Sequence, residues 1–354
     1  MELALWIFLT ILGLALLVKG ADWFVDGSAG IARKAKIPAL IVGLTIVAFG
    51  TSAPELAVSV TGAIQGSTDI SIGNVVGSNI ANIFLILGVT SLIRKLPVQK
   101  NSLRLDLPVL LVAGALLVGL GVLGNYLYGE ESAIRWWAGL ILIAVLAAYM
   151  SVLLVRASKE IKAQKLNPPE QKPLESPDKE EEKKPEKPKG KVKRWYEGMC
   201  DKLWFCIILA IIGLGMVVGG GVLLVDGAKF IAAKLGASER VIGLTVVAIG
   251  TSLPELVTSV VAAVKKETDI AVGNIIGSNI FNILLVGGAA SLFHPLAFNI
   301  EGNLFDSLVA LAAALLLVFL AVVGRKKLGR VSGAVMLAGF IGYYVYLFMT
   351  MQPT

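Results

Sequence analysis

Two short stretches combine a helix breaker with an acid inside otherwise apolar sequence. GTSAPE ends at Glu55, and its near copy GTSLPE ends at Glu255. Proline cannot donate a main-chain hydrogen bond, and its ring clashes with the carbonyl four residues earlier, so Pro54 and Pro254 each predict a broken helix. Carbonyls released by such a break, next to a carboxylate, are the oxygen ligands that a hard cation prefers.

A second polar motif follows each break. GNVVGSNIANI begins at Gly73 and GNIIGSNIFNI begins at Gly273. A spacing of four residues puts the polar side chains of each copy on one helical face, and these are Asn74, Ser78 and Asn82 in the first copy and Asn274, Ser278 and Asn282 in the second. Sulfur and imidazole ligands are absent, which argues against zinc or copper. With two glutamates, the freed carbonyls and the amides, the motifs predict a site of roughly six to eight oxygens, as calcium requires.

The elements that must hold these residues are membrane helices. The chain is 56% hydrophobic and 16% charged, with a mean hydropathy of +0.79, whereas soluble domains carry about 25% charged residues. Apolar segments long enough to cross a bilayer, roughly 20 residues each, predict ten spans, and these lie near 2–20, 38–64, 70–93, 104–125, 133–155, 204–226, 239–264, 269–293, 304–324 and 331–349. We therefore expect an all-α integral membrane protein, in which helices 2, 3, 7 and 8 are broken or kinked around a midplane ion site.

An ionised carboxylate inside such a span needs a counter-charge. It costs at least roughly 2.5–3.5 kcal/mol even on the lenient insertion scale. The basic residues within the predicted spans are Lys19, Arg104, Arg135 and Arg240, and all of them lie within three residues of a span end. A bound cation or proton is left to neutralise Glu55 and Glu255. Exposed open backbone is not tolerated in lipid either, so the predicted site is enclosed by protein. No cofactor is predicted, and the transported ions themselves are the ligands.

A charged segment divides the chain. Residues 156–203 hold 14 Lys/Arg, 10 Asp/Glu and six of the 13 prolines, a composition that cannot bury a core and is typical of a disordered or loosely helical linker. The predicted domains are residues 1–155, this linker, and residues 204–354, each half with five spans. Outside the linker, 13 Lys/Arg lie on one side of the spans and four on the other. The positive-inside rule then predicts a cytoplasmic linker and external termini in a cell (inner or plasma) membrane.

The halves are repeats. Residues 24–60 align without a gap with residues 224–260, and 13 of the last 20 columns are identical. The same register holds from Thr68 to Gly88 against Thr268 to Gly288, with 13 of 21 columns identical. Because five spans per half is an odd number, the second copy enters the membrane upside down. Inverted repeats of this kind place a transport site near the midplane, between the copies.

The paired motifs resemble the alpha-repeats of the calcium/cation antiporter superfamily, most closely the prokaryotic sodium/calcium exchangers. The resemblance implies a five-plus-five inverted repeat in which helices 1 and 6 slide across a rigid remainder. By matching position it implies that Glu55 and Glu255 are shared by calcium and sodium, and that Thr51 and Thr251 offer main-chain carbonyls to calcium. It further assigns sodium ligands to Ser52, Ser78, Ser252 and Ser278 and to the carbonyls of Ala48 and Ala248.

One position departs from the family pattern. Asn82 matches the central amide ligand, but its partner in the second repeat is often an aspartate and is here Asn282. The empty site then carries at most two negative charges, from Glu55 and Glu255. One calcium ion neutralises that charge, and so do two sodium ions or two protons. We therefore expect exchange of about two monovalent ions per calcium.

Several alternatives stay open from the sequence. Proton/calcium exchange or a potassium-dependent exchanger would use the same ligands, and a cation channel is a more distant alternative, because channels are usually built from symmetric subunits. An enzyme is not predicted, since no Ser-His pair, HExxH motif or paired membrane aspartates appear. The expected partners are Ca²⁺ and Na⁺ (with H⁺ or K⁺ as alternatives) and the lipid bilayer. Nucleic acid is not expected, because the net charge of +7 arises from loops, and the monomer is expected to suffice. Asp22, Asp26 and Asp226 lie at span ends, where they could steer cations.

Overall fold

Helices dominate the computed structural model, which describes residues 2–129, 133–166, 202–234, 250–300 and 302–350. Within those ranges eight helices are long and apolar enough to cross a bilayer, and a pair bent by 45° makes a ninth. In chain order the helices are α1 (Glu2–Ala35), α2a (Ala39–Thr51), α2b (Ala53–Ile64), α3 (Thr68–Ile93), α4 (Ser102–Tyr128), α5 (Trp136–Leu166), α6 (Leu203–Lys234), α7 (Leu253–Val264), α8 (Thr268–Phe293), α9 (Asn303–Val323) and α10 (Arg330–Thr350).

Each predicted span coincides with one of these helices, but three helices run further than the hydropathy indicated. The helix α1 continues to Ala35, α5 to Leu166 and α6 to Lys234, since no proline interrupts any of them. The helix α7 is the C-terminal part of the seventh predicted span, whose earlier residues 239–249 lie outside the described residues. Most of the predicted linker, residues 167–201, also lies outside them.

The helices that carry the polar motifs lie at the centre of the bundle. In their most apolar windows, 72% of α3 and 94% of α8 are buried inside the protein, against 17% for α1 and for α10. The helix α8 packs along α2a, where a Cβ on Gly273 would lie 2.7 Å from the carbonyl of Leu40. Backbone contacts this close depend on small residues, which helix pairs in membranes use for tight packing.

Short extended segments tie the connecting loops of the two repeats together. Strand β1 (Leu96–Pro97), which follows α3, pairs antiparallel with β2 (Lys327–Leu328), which precedes α10. At the other end of α4, Ile134 forms an isolated bridge with Leu296. The two ties occupy equivalent positions in the two repeats, so each end of the bundle is fastened by one loop from each half.

The helices α1 and α6 pack against each other along a row of glycines spaced seven residues apart, which we call the glycine seam. Glycines recur every seven residues on both, at Gly13, Gly20 and Gly27 on α1 and at Gly213, Gly220 and Gly227 on α6. A Cβ on Gly20 would lie 2.6 Å from the Cβ of Met216 and 2.8 Å from the carbonyl of Gly213, and Gly13 meets Gly220 in the same way. Because backbone touches backbone along this seam, the two helices form one packed unit.

Substituting Gly20 by Val should disrupt this seam. A branched side chain has no room against the Gly213 carbonyl, and overpacking of this kind costs about 1–3 kcal/mol. We expect a melting temperature several degrees lower in detergent, measured by intrinsic fluorescence. The matched control is Gly219→Val on the exposed face of α6, where no described atom lies within 4 Å. Equal destabilisation by both substitutions would contradict the role of the seam.

Ion pairs fasten α1 to the turn between α7 and α8. Lys265 in that turn lies 2.5 Å from Asp22 Oδ1 and 2.7 Å from Asp26 Oδ1, and Glu267 lies 3.1 Å from Arg33. The repeat counterparts of Lys265 and Glu267 are Gln65 and Ser67. Because Gln65 and Ser67 carry no charge, the equivalent turn of the first repeat cannot form the same ion pairs. We call the ion pairs of Lys265 and Glu267 with α1 the clasp. Any displacement of α1 relative to α7 must break this clasp.

Candidate functional site

The site is built on two helix starts of nearly the same geometry, those of α2b and α7. Ser52 has φ −82° and ψ 5°, and Ser252 has φ −88° and ψ 4°. Each serine precedes a helix that has proline in its first two positions. Proline is well tolerated there, because amide hydrogens in the first turn have no acceptor within the helix and proline has no amide hydrogen to leave unpaired. The glutamate then falls in the first turn of α2b or α7, where the positive end of the helix dipole favours a negative charge.

The two repeats meet through reciprocal hydrogen bonds. Ser52 Oγ donates to Glu255 Oε1 at 3.1 Å, and Ser252 Oγ donates to Glu55 Oε1 at 3.4 Å. Both carboxylates are fully buried. Each glutamate is therefore held by the serine of the opposite repeat, which places the two acids at one site between the halves of the chain.

A second reciprocal pair fixes the threonines. Thr51 Oγ1 donates to Asn274 Oδ1 at 3.0 Å, and Thr251 Oγ1 donates to Asn74 Oδ1 at 3.3 Å. The amide nitrogen of Asn74 donates in turn to the carbonyl of Glu55 at 3.2 Å and to Ser59 Oγ at 2.9 Å. With their oxygens accepting from threonine, the two outer asparagines position the broken helices.

The two inner asparagines are different, since no polar group satisfies them. Asn82 and Asn282 lie where α3 and α8 change from α-helical to π-helical hydrogen bonding, over Ala81–Leu87 and Asn282–Gly287. Both residues are fully buried, and neither side-chain oxygen nor nitrogen has a hydrogen-bond partner. Short π-helical segments are frequent at functional sites, and unsatisfied buried amides are rare in proteins.

Unpartnered oxygens also remain on both acids. Oε2 of Glu55, Oε2 of Glu255 and Oγ of Ser78 are buried without a hydrogen bond. Counted with the two inner amide oxygens, five buried oxygens lack a donor. That set of two charged and three neutral oxygens fits a hard cation. No group of three or more His, Cys, Asp and Glu side chains forms among the described residues.

The structure links several of the sequence-predicted residues. Ser52, Ser252, Glu55 and Glu255 are linked directly, and Thr51 lies 3.4 Å from Ser278 between their hydroxyl oxygens. The carbonyl of Ala48 accepts a hydrogen bond from the amide of Ser52 at 3.0 Å and lies 3.4 Å from Thr51 Oγ1, so an ion would compete for it. Ala248 lies outside the described residues.

Sequence reasoning missed the supporting side chains. Ser59 and Ser259 hold Asn74 and Asn274, each at 2.9 Å. These serines occupy identical columns of the repeat alignment, and that identity was the available signal. The sequences Thr68-Asp69 and Thr268-Asp269 are typical of helix N-caps, but that interpretation is wrong here, because α3 and α8 begin at the threonines and no side-chain cap forms.

A cavity of about 180 Å³ lies beside Thr251 and Pro254. It runs between α6, α2b and α7, with Asp226 and Lys229 among its lining residues and Thr251 and Pro254 beside the break. Asp226 lies 3.7 Å from Lys229, whereas its repeat counterpart Asp26 is held by Lys265. The equivalent aspartates of α1 and α6 therefore have different charge partners.

The nine spans that the described residues form, the proline-marked starts of α2b and α7, and the two buried carboxylates bonded across the repeats define an integral membrane ion transporter with an inverted repeat. Comparison with known proteins agrees with that class. The family model described as "Sodium/calcium exchanger protein" matches residues 5–155 and 205–349. The chain belongs to this family.

Relatives and a solved structure match over almost the whole length. The chain is 38% identical to "Putative antiporter CaxA" of Alkalimonas amylolytica over 96% of this chain and 97% of the relative. It is 33% identical to "Sodium/calcium exchanger MaX1" of Methanosarcina acetivorans, over 96% and 97%. The sodium-calcium exchanger NCX_Mj, soaked with zero Na⁺ and Ca²⁺, superposes with a TM-score of 0.77 at 32% identity and coverage of 98% and 99%. The predicted family and all-α inverted-repeat fold are confirmed.

Proposed function

We propose that the protein is a secondary active antiporter that exchanges Ca²⁺ for Na⁺ by alternating access at one shared midplane site. One observation carries the proposal. Both glutamates and both inner asparagines are fully buried and offer oxygens that no donor satisfies. A buried polar atom without a partner costs about 1–3 kcal/mol, and more if it is charged. Binding a desolvated cation removes that cost for four side chains at once.

The individual roles follow the family pattern and remain proposals for this chain. Glu55 and Glu255 neutralise either ion, and Asn82 and Asn282 add amide oxygens. The main-chain carbonyls of Thr51 and Thr251 complete the calcium shell. Sodium uses the carbonyls of Ala48 and Ala248 and the hydroxyls of four serines, which are Ser52, Ser78, Ser252 and Ser278. No cofactor takes part, because the ions are the cargo.

The same chemistry makes exchange obligatory. An empty site leaves two glutamates facing each other without a counter-ion in a region of low dielectric constant, which penalises the occluded state. Because calcium and sodium compete for overlapping oxygens, the site carries either calcium or sodium at one time and not both. The glycine seam between α1 and α6 supports movement of this pair as one body, and the Lys265 clasp holds α1 in the present arrangement.

Topology and assembly are part of the proposal. Residues 1–155 and 204–354 act as the two inverted halves, and residues 156–203 as a cytoplasmic linker in the cell membrane, with both termini outside. Each carboxylate is bonded by the opposite half of the same chain. A single chain therefore contributes both halves of the site, which supports a functional monomer.

Proton/calcium exchange is the second candidate, and Asn282 favours it. With two ionisable groups instead of three, two protons neutralise the site as well as two sodium ions do. The two acids then titrate as a coupled pair. A potassium-dependent exchanger would bind a potassium ion as well, and two glutamates do not balance that additional positive charge. A channel would conduct calcium without a counter-ion.

The driving ion can be identified in proteoliposomes. Calcium uptake is measured with gradients of sodium, potassium and protons applied one at a time. We expect uptake under an outward sodium gradient and little under potassium alone. Uptake driven by protons but not by sodium would reject sodium coupling and keep the site. Uptake that needs no counter-ion would reject the antiporter.

A further inference from the structure

A basic cavity lies away from the ion site, between the end of α3 and the start of α10. Its volume is about 650 Å³, and four cationic residues line it: Arg94, Lys95, Lys327 and Arg330. No Asp or Glu is among its lining residues. Within the described part of the chain none of the four forms an ion pair. Four uncompensated positive charges around one cavity attract an anion.

A buried hydroxyl lines the same cavity without a partner. Ser91 is 0% exposed, and its Oγ makes no hydrogen bond within the described part of the chain. Its counterpart in the second repeat, Ser291, donates to the carbonyl of Gly288 at 2.8 Å. Buried hydroxyls normally find a partner, so the first-repeat serine has a donor left for a ligand.

Apolar side chains on the rim point to an amphiphilic ligand. Leu92, Ile93 and Val331 line the cavity and are 37%, 46% and 79% exposed. A free inorganic anion makes no use of these surfaces. A phospholipid uses both, because its phosphate can contact the basic residues while its acyl chains lie along the apolar rim.

The location also fits a membrane lipid. The positions equivalent to Arg94 and Lys95 in the second repeat are His294 and Pro295, so the clustered charge belongs to one end of the bundle. Charge bias places that end in the cytoplasm. The cytoplasmic leaflet carries anionic lipids, and basic pockets between membrane helices on that side bind their head groups.

We propose that this cavity binds the head group of an anionic phospholipid, which bridges α3 and α10. The two helices already touch closely there, since a Cβ on Gly333 would lie 2.7 Å from the carbonyl of Gly88. Gly88 directly follows the π-helical segment that starts one residue before Asn82. The bound lipid therefore stabilises the half of α3 that supports the ion site, whichever counter-ion is exchanged.

The test uses the purified full chain in neutral detergent. Phosphatidylglycerol, phosphatidylcholine or inorganic phosphate is added, and binding is followed by native mass spectrometry and by the melting temperature. We expect phosphatidylglycerol to bind and raise the melting temperature, and the other two to have little effect. An equal rise with inorganic phosphate would overturn the lipid assignment, and so would equal binding of phosphatidylcholine.

Variants locate the site. Arg94→Gln with Arg330→Gln should weaken phosphatidylglycerol binding on the order of 30-fold, at roughly 1 kcal/mol for each basic residue. The control is Lys100→Gln with Arg104→Gln, which removes the same charge from exposed residues at the start of α4 and should change binding less than about 3-fold. Equal losses would mean that diffuse charge binds the lipid, and would overturn the site. If the first pair does not fold, Lys95→Gln with Lys327→Gln gives the same comparison, because both side chains are exposed.

Discussion

Replacing Glu255 by Gln should abolish calcium transport and leave the protein folded. The substitution keeps the shape of the side chain but removes one of two charges from a fully buried site. Loss of an outer-shell partner of a metal ligand typically costs 10–100-fold in affinity. Loss of a carboxylate ligand should exceed that, so we expect calcium uptake to fall by more than about 100-fold. Glu55→Gln should behave in the same way.

The stability of the variants distinguishes a ligand from a structural acid. A buried charge without a counter-ion is destabilising, so without calcium the Gln variants should melt at the wild-type temperature or above it. Added calcium should raise the melting temperature of the wild type, since ligands stabilise the state that they bind, and should leave the variants unchanged. Glu2→Gln is the control, because that carboxylate is exposed at the start of α1. If both single variants keep wild-type uptake, the assignment of the site is wrong.

Replacing Asn282 by Asp should change the charge carried in each cycle. The wild-type site holds at most two negative charges, so exchange of two sodium ions for one calcium ion moves no net charge. A third carboxylate at this fully buried position would balance the charge of a third sodium ion. We expect little current from wild-type proteoliposomes under a sodium gradient, and a calcium-dependent current from the variant at alkaline pH, where the added acid ionises.

The matched control is Asn282→Ser, which shortens the side chain without adding charge and should stay electroneutral. The reversal potential gives the stoichiometry directly. A robust wild-type current at three sodium ions per calcium would contradict the charge-balance argument, while the glutamates would keep their role. Absence of any current change in a folded and transporting Asn282→Asp variant would also contradict it.

The break in the second helix was predictable from residues because its cause is local. Pro54 removes a donor that the preceding turn needs, and the intervening Ser52 leaves the helical region at ψ 5°. Glu55 was predictable for the same reason, since a carboxylate in an apolar span requires a counter-charge. The gap-free alignment of the two repeats then identified Pro254 and Glu255 as the second copies. The odd number of spans in each half predicted that the second repeat is inverted.

Contacts between the repeats were not predictable in the same way. The bond from Ser52 to Glu255 joins residues 203 positions apart, and its partner follows from how the halves dock. The π-helical segments at Asn82 and Asn282 also have no local breaker in the sequence. Hydropathy similarly placed the end of the first span near residue 20, whereas α1 reaches Ala35. The bilayer determines how long the apolar segment must be, but the helix can continue beyond the bilayer.

Strict coupling tests the central claim most directly. Proteoliposomes are loaded with radioactive calcium and diluted into medium that contains either sodium or an impermeant organic cation at equal ionic strength. The account predicts that calcium stays inside until sodium is added, and then leaves while sodium enters, because an empty pair of buried glutamates cannot cross the occluded state. Rapid calcium loss into sodium-free medium, at a rate that sodium does not change, would contradict it.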